Sequence, residues 1–275
     1  MSDVKDMDAT TLQRALQLVH EYTGVTIVES KKNMLQSRMR QRMRQLRLTS
    51  YTDYLDRIVA DDMEGQPFID TVTTHQTTFF RTPRIWQYFL ETFLPAWAAA
   101  HERETLRVWS AAASTGEEAC SIAMCCEEFS RRQTRFGYEI LATDISNEVL
   151  AKAQAGHYTG ASVTYFQASH PEMFERYNGS GSPHCFALSE PVRKHIRFET
   201  CNLMAAPPWR DHFDLVFLRN VLIYFNPGDV KRVVRQIAPT MHDSGQLIIG
   251  ESESLTGQDV PFQFIQPQVY QRRQA

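Results

Sequence analysis

Glu117 and Glu118 stand side by side directly after Ser114-Thr115-Gly116, and the residues around them decide what two adjacent carboxylates could do. Leu106, Val108 and Trp109 form an apolar run that leads into three alanines. Ile122, Met124, Cys125 and Phe129 begin a helical pattern after the acids. The stretch VWSAAASTGEEACS, residues 108–121, therefore reads as strand, tight turn and helix. Small residues in such a turn let a ligand press against backbone. A dinucleotide-binding turn carries three spaced glycines and leaves its helix N-terminus open to a pyrophosphate. Here one glycine stands in the turn, and two carboxylates fill the first helical turn. That arrangement repels phosphate and suits a cation; an adenosine carrying an amine and a sulfonium fits. The other reading is an ordinary strand–helix turn whose acids help the helix begin.

Three further constellations could share a site with this turn. Asp144 ends the run YEILATD and could hold ribose hydroxyls at the tip of a second strand, or cap the helix that begins near Ser146-Asn147-Glu148. The segment TTHQTTFFR, residues 73–81, offers His75, Thr77 and Arg81 beside two phenylalanines. It could lay hydroxyls and a guanidinium over a ligand, or link to a helix opened by Thr82-Pro83 as cap and first residue. The run FDLVFLRNVLIYF, residues 213–225, brings Arg219 and Asn220 to the carboxyl end of a buried strand, with Tyr224 following in apolar surroundings. Open α/β sheets bind ligands along that edge, although a tyrosine there is commonly a core residue with its hydroxyl satisfied by backbone.

These residues need a sheet edge, and the chain supplies one. Strand-like runs at 106–112, 138–143, 213–218 and 246–250 alternate with helix-like runs at 117–131, 147–155 and 228–241, the pattern of a mostly parallel sheet covered by helices. Residues 178–199 break that alternation. Two turn clusters there flank apolar runs at 185–188 and 192–198, which predicts a small antiparallel insertion. A terminal hairpin is expected from 262–265 and 269–272 around Gln266-Pro267. Residues 8 to 75 read as helices only. Leu35, Met39, Met43 and Leu46 stripe a helix over 30–48, and a third and a fourth helix are expected at 51–58 and 68–74, separated by breaks at Asp61-Asp62 and Gly65-Gln66-Pro67. The helix over 30–48 also carries Arg38, Arg40, Arg42, Arg44 and Arg47 with almost no acids, which is either a solvated face or a surface for an acidic partner.

Composition bounds the rest. The chain has 275 residues, 43% hydrophobic and 22% charged, as in ordinary globular proteins. Net charge is −3, so nothing pulls the whole molecule toward nucleic acid. Five cysteines without paired CxxC spacing or a matching histidine cluster read as reduced packing residues, neither metal ligands nor bridges. With a polar, acidic beginning and no long apolar run, a cytoplasmic protein is expected.

Taken together, TTHQTTFFR (73–81), VWSAAASTGEEACSIAM (108–124), ATDIS (142–146), NL (202–203) and FLRNVLIYF (217–225) resemble the CheR-type chemotaxis receptor methyltransferases. The resemblance implies an α/β, Rossmann-like S-adenosylmethionine-dependent domain with a small antiparallel β insertion, preceded by a small all-helical domain. It implies boundaries at 1–75 for the helical, receptor-facing domain, 76–105 for a linker and connecting helix, and 106–275 for the methyltransferase domain, its β-subdomain at about 178–199. The implied reaction moves a methyl group from S-adenosylmethionine to glutamate side chains of chemoreceptors, giving methyl esters and S-adenosylhomocysteine, with no metal. The alternatives are another protein or an RNA as acceptor, or a module that binds the cofactor without catalysis.

By motif, the implied cofactor-binding residues are His75, Thr77, Arg81, Ala111, Glu117, Glu118, Asp144, Asn202, Leu203, Arg219, Asn220 and Tyr224. Either acid of the Glu117-Glu118 pair could face the methionyl amine. Arg81 and Tyr224 are the catalytic candidates, and Arg38, Arg40, Arg42, Arg44 and Arg47 the receptor-binding ones. The implied partner is the cytoplasmic helical bundle of a receptor, met by a monomer that binds no nucleic acid and is not embedded in the membrane. Three departures from the family pattern stand out. His75 replaces a usual Asn, Glu251 replaces a frequent His, and the insertion near 178–183 is short beside relatives that tether to a receptor's terminal peptide.

Overall fold

The computed structural model describes residues 6–102, 104–133 and 135–273. Its first part is helical, and three of its four α-helices start on a side-chain acceptor at the cap position; α2 starts without one. Asp8 accepts from the Thr11 amide at the head of α1 (Ala9–Thr23), and Gly24, left-handed at φ 73°, closes its end. A Cβ on Gly24 would stand 2.9 Å from the Phe225 ring and closer still to Met204, so glycine lets this helix end reach the second domain. Helix α2 (Lys32–Gln45) buries Leu35, Met39 and Met43, the stripe that its spacing predicts. Ser50 caps α3 (Tyr51–Ala60), and Asp61 caps α4 (Asp62–Val72). The fourth helix thus begins before the expected break and carries Pro67 within it. The Asp61 cap starts the helix early enough to run through the Gly65-Gln66-Pro67 signal.

After the segment 73–82 a helical rod runs from residue 83 to 100. It comprises α5 (Pro83–Tyr88), a single π turn (Phe89–Phe93) and α6 (Leu94–Ala100). The wide turn lies just ahead of Pro95, which has no N–H to donate. Thr82 stands at the cap position before α5, but its hydroxyl makes no capping bond.

The sheet follows. In chain order come β1 (Thr105–Ser110), α7 (Glu117–Ser130), β2 (Gly137–Asp144), α8 (Asn147–Ala155), β3 (Tyr158–Thr159), α9 (Ala161–Ser169) and α10 (Pro171–Tyr177). Then come β4 (Cys185–Phe186), α11 (Glu190–Arg193), β5 (Ile196–Thr200), β6 (Phe213–Leu218), α12 (Pro227–Ile237), β7 (Met241–Ile249), β8 (Phe262–Gln266) and β9 (Val269–Arg272). Seven strands form one sheet in the order β5-β2-β1-β6-β7-β9-β8. The first five are parallel; β9 pairs antiparallel with β7, and β8 with β9 as the expected hairpin. Apolar clusters cover both faces, which explains the near-continuous apolar runs of β1, β2 and β6. Strand order reverses at β1, which has β2 on one side and β6 on the other, so the crevice at its carboxyl end is where a ligand belongs.

The small antiparallel insertion is present with a different partner. Residues 185–188 were expected to pair with 192–198. Instead Cys185–Phe186 pairs with Tyr158–Thr159, while Ile196–Thr200 joins the main sheet beside β2. A two-residue strand leaves no alternation to read, and an apolar run does not reveal which sheet will take it.

Candidate active site

The turn after β1 is built from backbone that only small residues allow. Ala111 and Ala113 are buried, Ser114 is left-handed at φ 52°, and Gly116 at φ 95°. Asp144 fixes this turn from the neighbouring strand. Its Oδ2 accepts from the Ser114 amide at 2.9 Å and its Oδ1 from the Ser146 amide at 3.0 Å. The capping role falls to Ser146, which accepts from Val149 at the head of α8, so the buried Asp144 carboxylate is placed at the crevice.

The two acids diverge. Glu118 accepts from Ser110 Oγ at 2.8 Å and from Arg219 Nη1 at 2.8 Å, and its side chain lines the cleft. Glu117 accepts from Thr115 Oγ1 at 2.6 Å and does not line the cleft; burial pushes its carboxyl above the usual range. Arg219 knits three segments. Besides Glu118, it donates through Nη2 to the Arg81 carbonyl at 2.8 Å, and its guanidinium carbon lies 5.8 Å from the Trp86 ring centre.

Residues 73–81 form the roof over this floor. Phe79 is sunk in an aromatic cluster with Tyr158, Phe166 and Phe186, at 4.8 to 5.1 Å between ring centres, and the Phe80 amide donates to Ser121 Oγ. These anchors leave Thr77 and the exposed Arg81 on the cleft side, Arg81 lying between left-handed Phe80 and Thr82. His75 shares a hydrogen bond with Thr73 Oγ1, and its Nδ1 lies 3.9 Å from Asp144 Oδ1. Burial lowers its pKa, with Asp144 pulling the other way.

The third side comes from β5, β6 and the helical domain. Leu203, Asn220 and Tyr224 line the cleft, and Asn220 is left-handed at φ 58°. Asn202 also lines it and donates through Nδ2 to the Tyr22 carbonyl at 3.0 Å. The Thr26 amide donates to the Tyr224 carbonyl at 2.8 Å. Across this joint, Val25 to Val28, Lys31 and Met34 complete a cavity of about 640 Å³. Sequence reasoning missed that wall, because nothing in the residue types of VTIV points to chemistry. Ser114 also lines this space, and its buried hydroxyl has no partner among the described residues.

A family model for the S-adenosylmethionine-binding domain of CheR methyltransferases matches residues 75–271, and one for their all-α domain matches residues 10–73. The chain belongs to the CheR methyltransferase family. A chemotaxis protein methyltransferase of Pseudomonas putida is 31% identical over 248 residues, 88% of this chain and 90% of that one. One from Escherichia coli is 31% identical over 251 residues, 89% of this chain and 84% of the other. The protein is therefore an S-adenosylmethionine-dependent methyltransferase.

The residues of this methyltransferase fit that cofactor. The buried carboxylates Glu118 and Asp144 are acceptors of the kind an amine and ribose hydroxyls need, and the Ser114 hydroxyl, unpartnered among the described residues, is a spare polar group in the floor. Eleven of the twelve cofactor candidates line one cleft: His75, Thr77, Arg81, Ala111, Glu118, Asp144, Asn202, Leu203, Arg219, Asn220 and Tyr224. Glu117 does not.

The arginine row divides. Arg42 binds Glu64 through Nε at 2.8 Å and Nη2 at 2.6 Å, deep in the helical domain. Arg40 pairs with Asp6, and its guanidinium carbon lies 6.0 Å from the Tyr51 ring centre. Arg38 donates to the carbonyls of Val72 and Thr73 and reaches the cleft. Arg44 and Arg47 are exposed. No helix among the described residues is long and apolar enough to cross a membrane.

Proposed function

We propose that this cleft methylates glutamate side chains on the cytoplasmic helices of chemoreceptors, as part of chemotactic adaptation. Glu118 faces the methionyl amine, Asp144 holds the ribose hydroxyls, and Leu203 and Asn202 border the adenine. Arg81 and Tyr224 stand at the transfer end. S-adenosylmethionine supplies a methyl group on a sulfonium, whose thioether is a good leaving group.

An acceptor glutamate has an ordinary pKa of about 4.3 and is already anionic at neutral pH. One oxygen–carbon bond forms, one carbon–sulfur bond breaks, and no proton moves. Catalysis then rests on holding the carboxylate in line and stripping its water. Arg81, exposed on the cleft side and steadied by the Gln76 carbonyl, draws the carboxylate in. Tyr224 orients its oxygen. The exposed Lys31, Arg44 and Arg47 favour an acidic acceptor. The shared cleft of Glu118, Asp144, Arg81 and Tyr224 is the observation that carries this reading.

Incubation with methyl-labelled S-adenosylmethionine and receptor-containing membranes tests it. Alkali-labile label on the receptor is expected. Absence of label, with cofactor affinity intact, overturns the choice of acceptor.

A further inference from the structure

Glu253 does not line the cleft, yet its carboxylate accepts from the backbone of the loop that does. It is buried, at 8% exposure, three residues beyond the end of the turn's first glycine, Gly250. Its own amide donates back to the Gly250 carbonyl at 3.1 Å, which folds residues 250–253 into a turn. That turn aims the carboxylate at backbone N–H groups of two strand exits. Oε2 accepts from Gly250, just after β7, and from Asn220 at 3.1 Å, two residues after β6. Oε1 accepts from the Ile223 amide at 3.4 Å. Burial raises the Glu253 pKa and these backbone bonds oppose the rise.

The grip has a close steric fit. A Cβ on Gly250 would come within 2.7 Å of Glu253 Oε2 and 2.8 Å of the Asn220 amide. Asn220 is left-handed there, a conformation that costs a non-glycine residue unless its surroundings hold it. The loop is therefore fixed at both ends: Arg219 to Glu118 at its start, and Ile223 to Glu253 just before Tyr224.

We propose that Glu253 is a positioning residue for methyl transfer, holding the 219–225 loop in the shape that presents Asn220 and Tyr224 to the reacting groups. The inference rests on the reading that this loop forms the transfer end of the cleft. A glutamine keeps the size of Glu253 but turns one of its two acceptors into a donor facing N–H groups. Misplacement by an ångström is enough to cost about a hundredfold in rate.

The experiment uses full-length Glu253→Gln, Gly250→Ala and Tyr224→Phe. Sites are counted by calorimetric titration with S-adenosylhomocysteine, and kcat is measured per counted site at saturating cofactor and receptor. Glu253→Gln and Gly250→Ala are each expected to lower kcat per site by about tenfold to a hundredfold. A merely structural role would reduce the number of sites and the melting temperature while each remaining site turned over at the wild-type rate. That outcome overturns the proposal. Should Glu253→Gln not fold, Gly250→Ala decides by the same two results. If Tyr224→Phe keeps the wild-type rate while the other two lose it, the Tyr224 assignment fails and Glu253 acts through Asn220.

Discussion

Arg219 and Glu118 meet at 2.8 Å in the floor of the cleft, both buried, as an ion pair between β6 and α7. Removing one partner of such a pair leaves an ion stranded in protein. Arg219 tolerates this poorly, because its Nε already lacks a partner among the described residues. Glu118→Ala is therefore expected to cost about 3–5 kcal/mol of stability and to abolish S-adenosylhomocysteine binding. Glu117 faces away from the cleft, and its burial already favours the neutral form. Glu117→Gln should leave cofactor affinity unchanged and stability at neutral pH equal or higher. Calorimetry and urea denaturation on the two variants measure both quantities.

His75 gives the fold a pH dependence of defined sign. Burial holds its pKa below the ordinary value of about 6.5, against the pull of Asp144, and Arg38 adds to the depression. Between the folded value and about 6.5, the unfolded chain binds a proton that the folded chain excludes, so stability rises with pH across that window. Above it the cost is absent, and below it the cost is complete. His75→Asn removes this titration. Its urea midpoint should change less than that of the wild type as pH falls from neutral through the window. Equal slopes for the two proteins would remove His75 as the source.

Much of this architecture was legible because β1, β2 and β6 are buried on both faces and keep near-continuous apolar runs, broken only near their starts by Arg107, Glu139 and Asp214. The residues at their carboxyl ends, Asp144, Arg219 and Asn220, then had to share one edge. The choice between Glu117 and Glu118 was not legible. Adjacent helical residues point about 100° apart, and only the packed structure decides which direction is the cleft. Glu253 was hidden for a related reason. GESES offers two acids of identical chemistry, and the turn at Gly250 alone selects the one that enters the interior. The wall from Val25 to Val28 arises from docking between domains, which no local pattern encodes.

The arginines of α2 should separate by experiment as they do in space. Glu64 is buried and bound by Arg42 and by the Tyr54 hydroxyl, whose pKa is raised chiefly by burial. Arg42→Ala strands that carboxylate and should cost about 3–5 kcal/mol, lowering receptor methylation only through loss of folded protein. Arg44 and Arg47 are exposed, and their side chains make no hydrogen bond or ion pair among the described residues. The double change Arg44→Glu and Arg47→Glu should leave the urea midpoint in place and raise the receptor KM. Exposed charges steer encounter and are screened by ions, so this rise should shrink as salt increases. An unchanged KM at low salt would make these two arginines a solvated face only.

Val28 and Ile223 face solvent at the mouth of the cleft, at 55% and 49% exposure, from opposite domains. The bond from the Thr26 amide to the Tyr224 carbonyl holds them on either side of one joint. A glutamate presented from a helix cannot enter alone. The neighbouring turn of that helix must come down on whatever surrounds the opening, and here it meets two apolar side chains. Covering a half-exposed Val or Ile yields about 1 kcal/mol, so replacing both with serine should raise the receptor KM by about thirtyfold. Serine adds no charge, which separates this effect from repulsion of an acidic receptor. Neither side chain is buried in the fold, so the melting temperature should hold. Titration with S-adenosylhomocysteine should give the wild-type affinity. A wild-type receptor KM in the Val28→Ser, Ile223→Ser double variant would mean that the acceptor helix approaches without touching this rim.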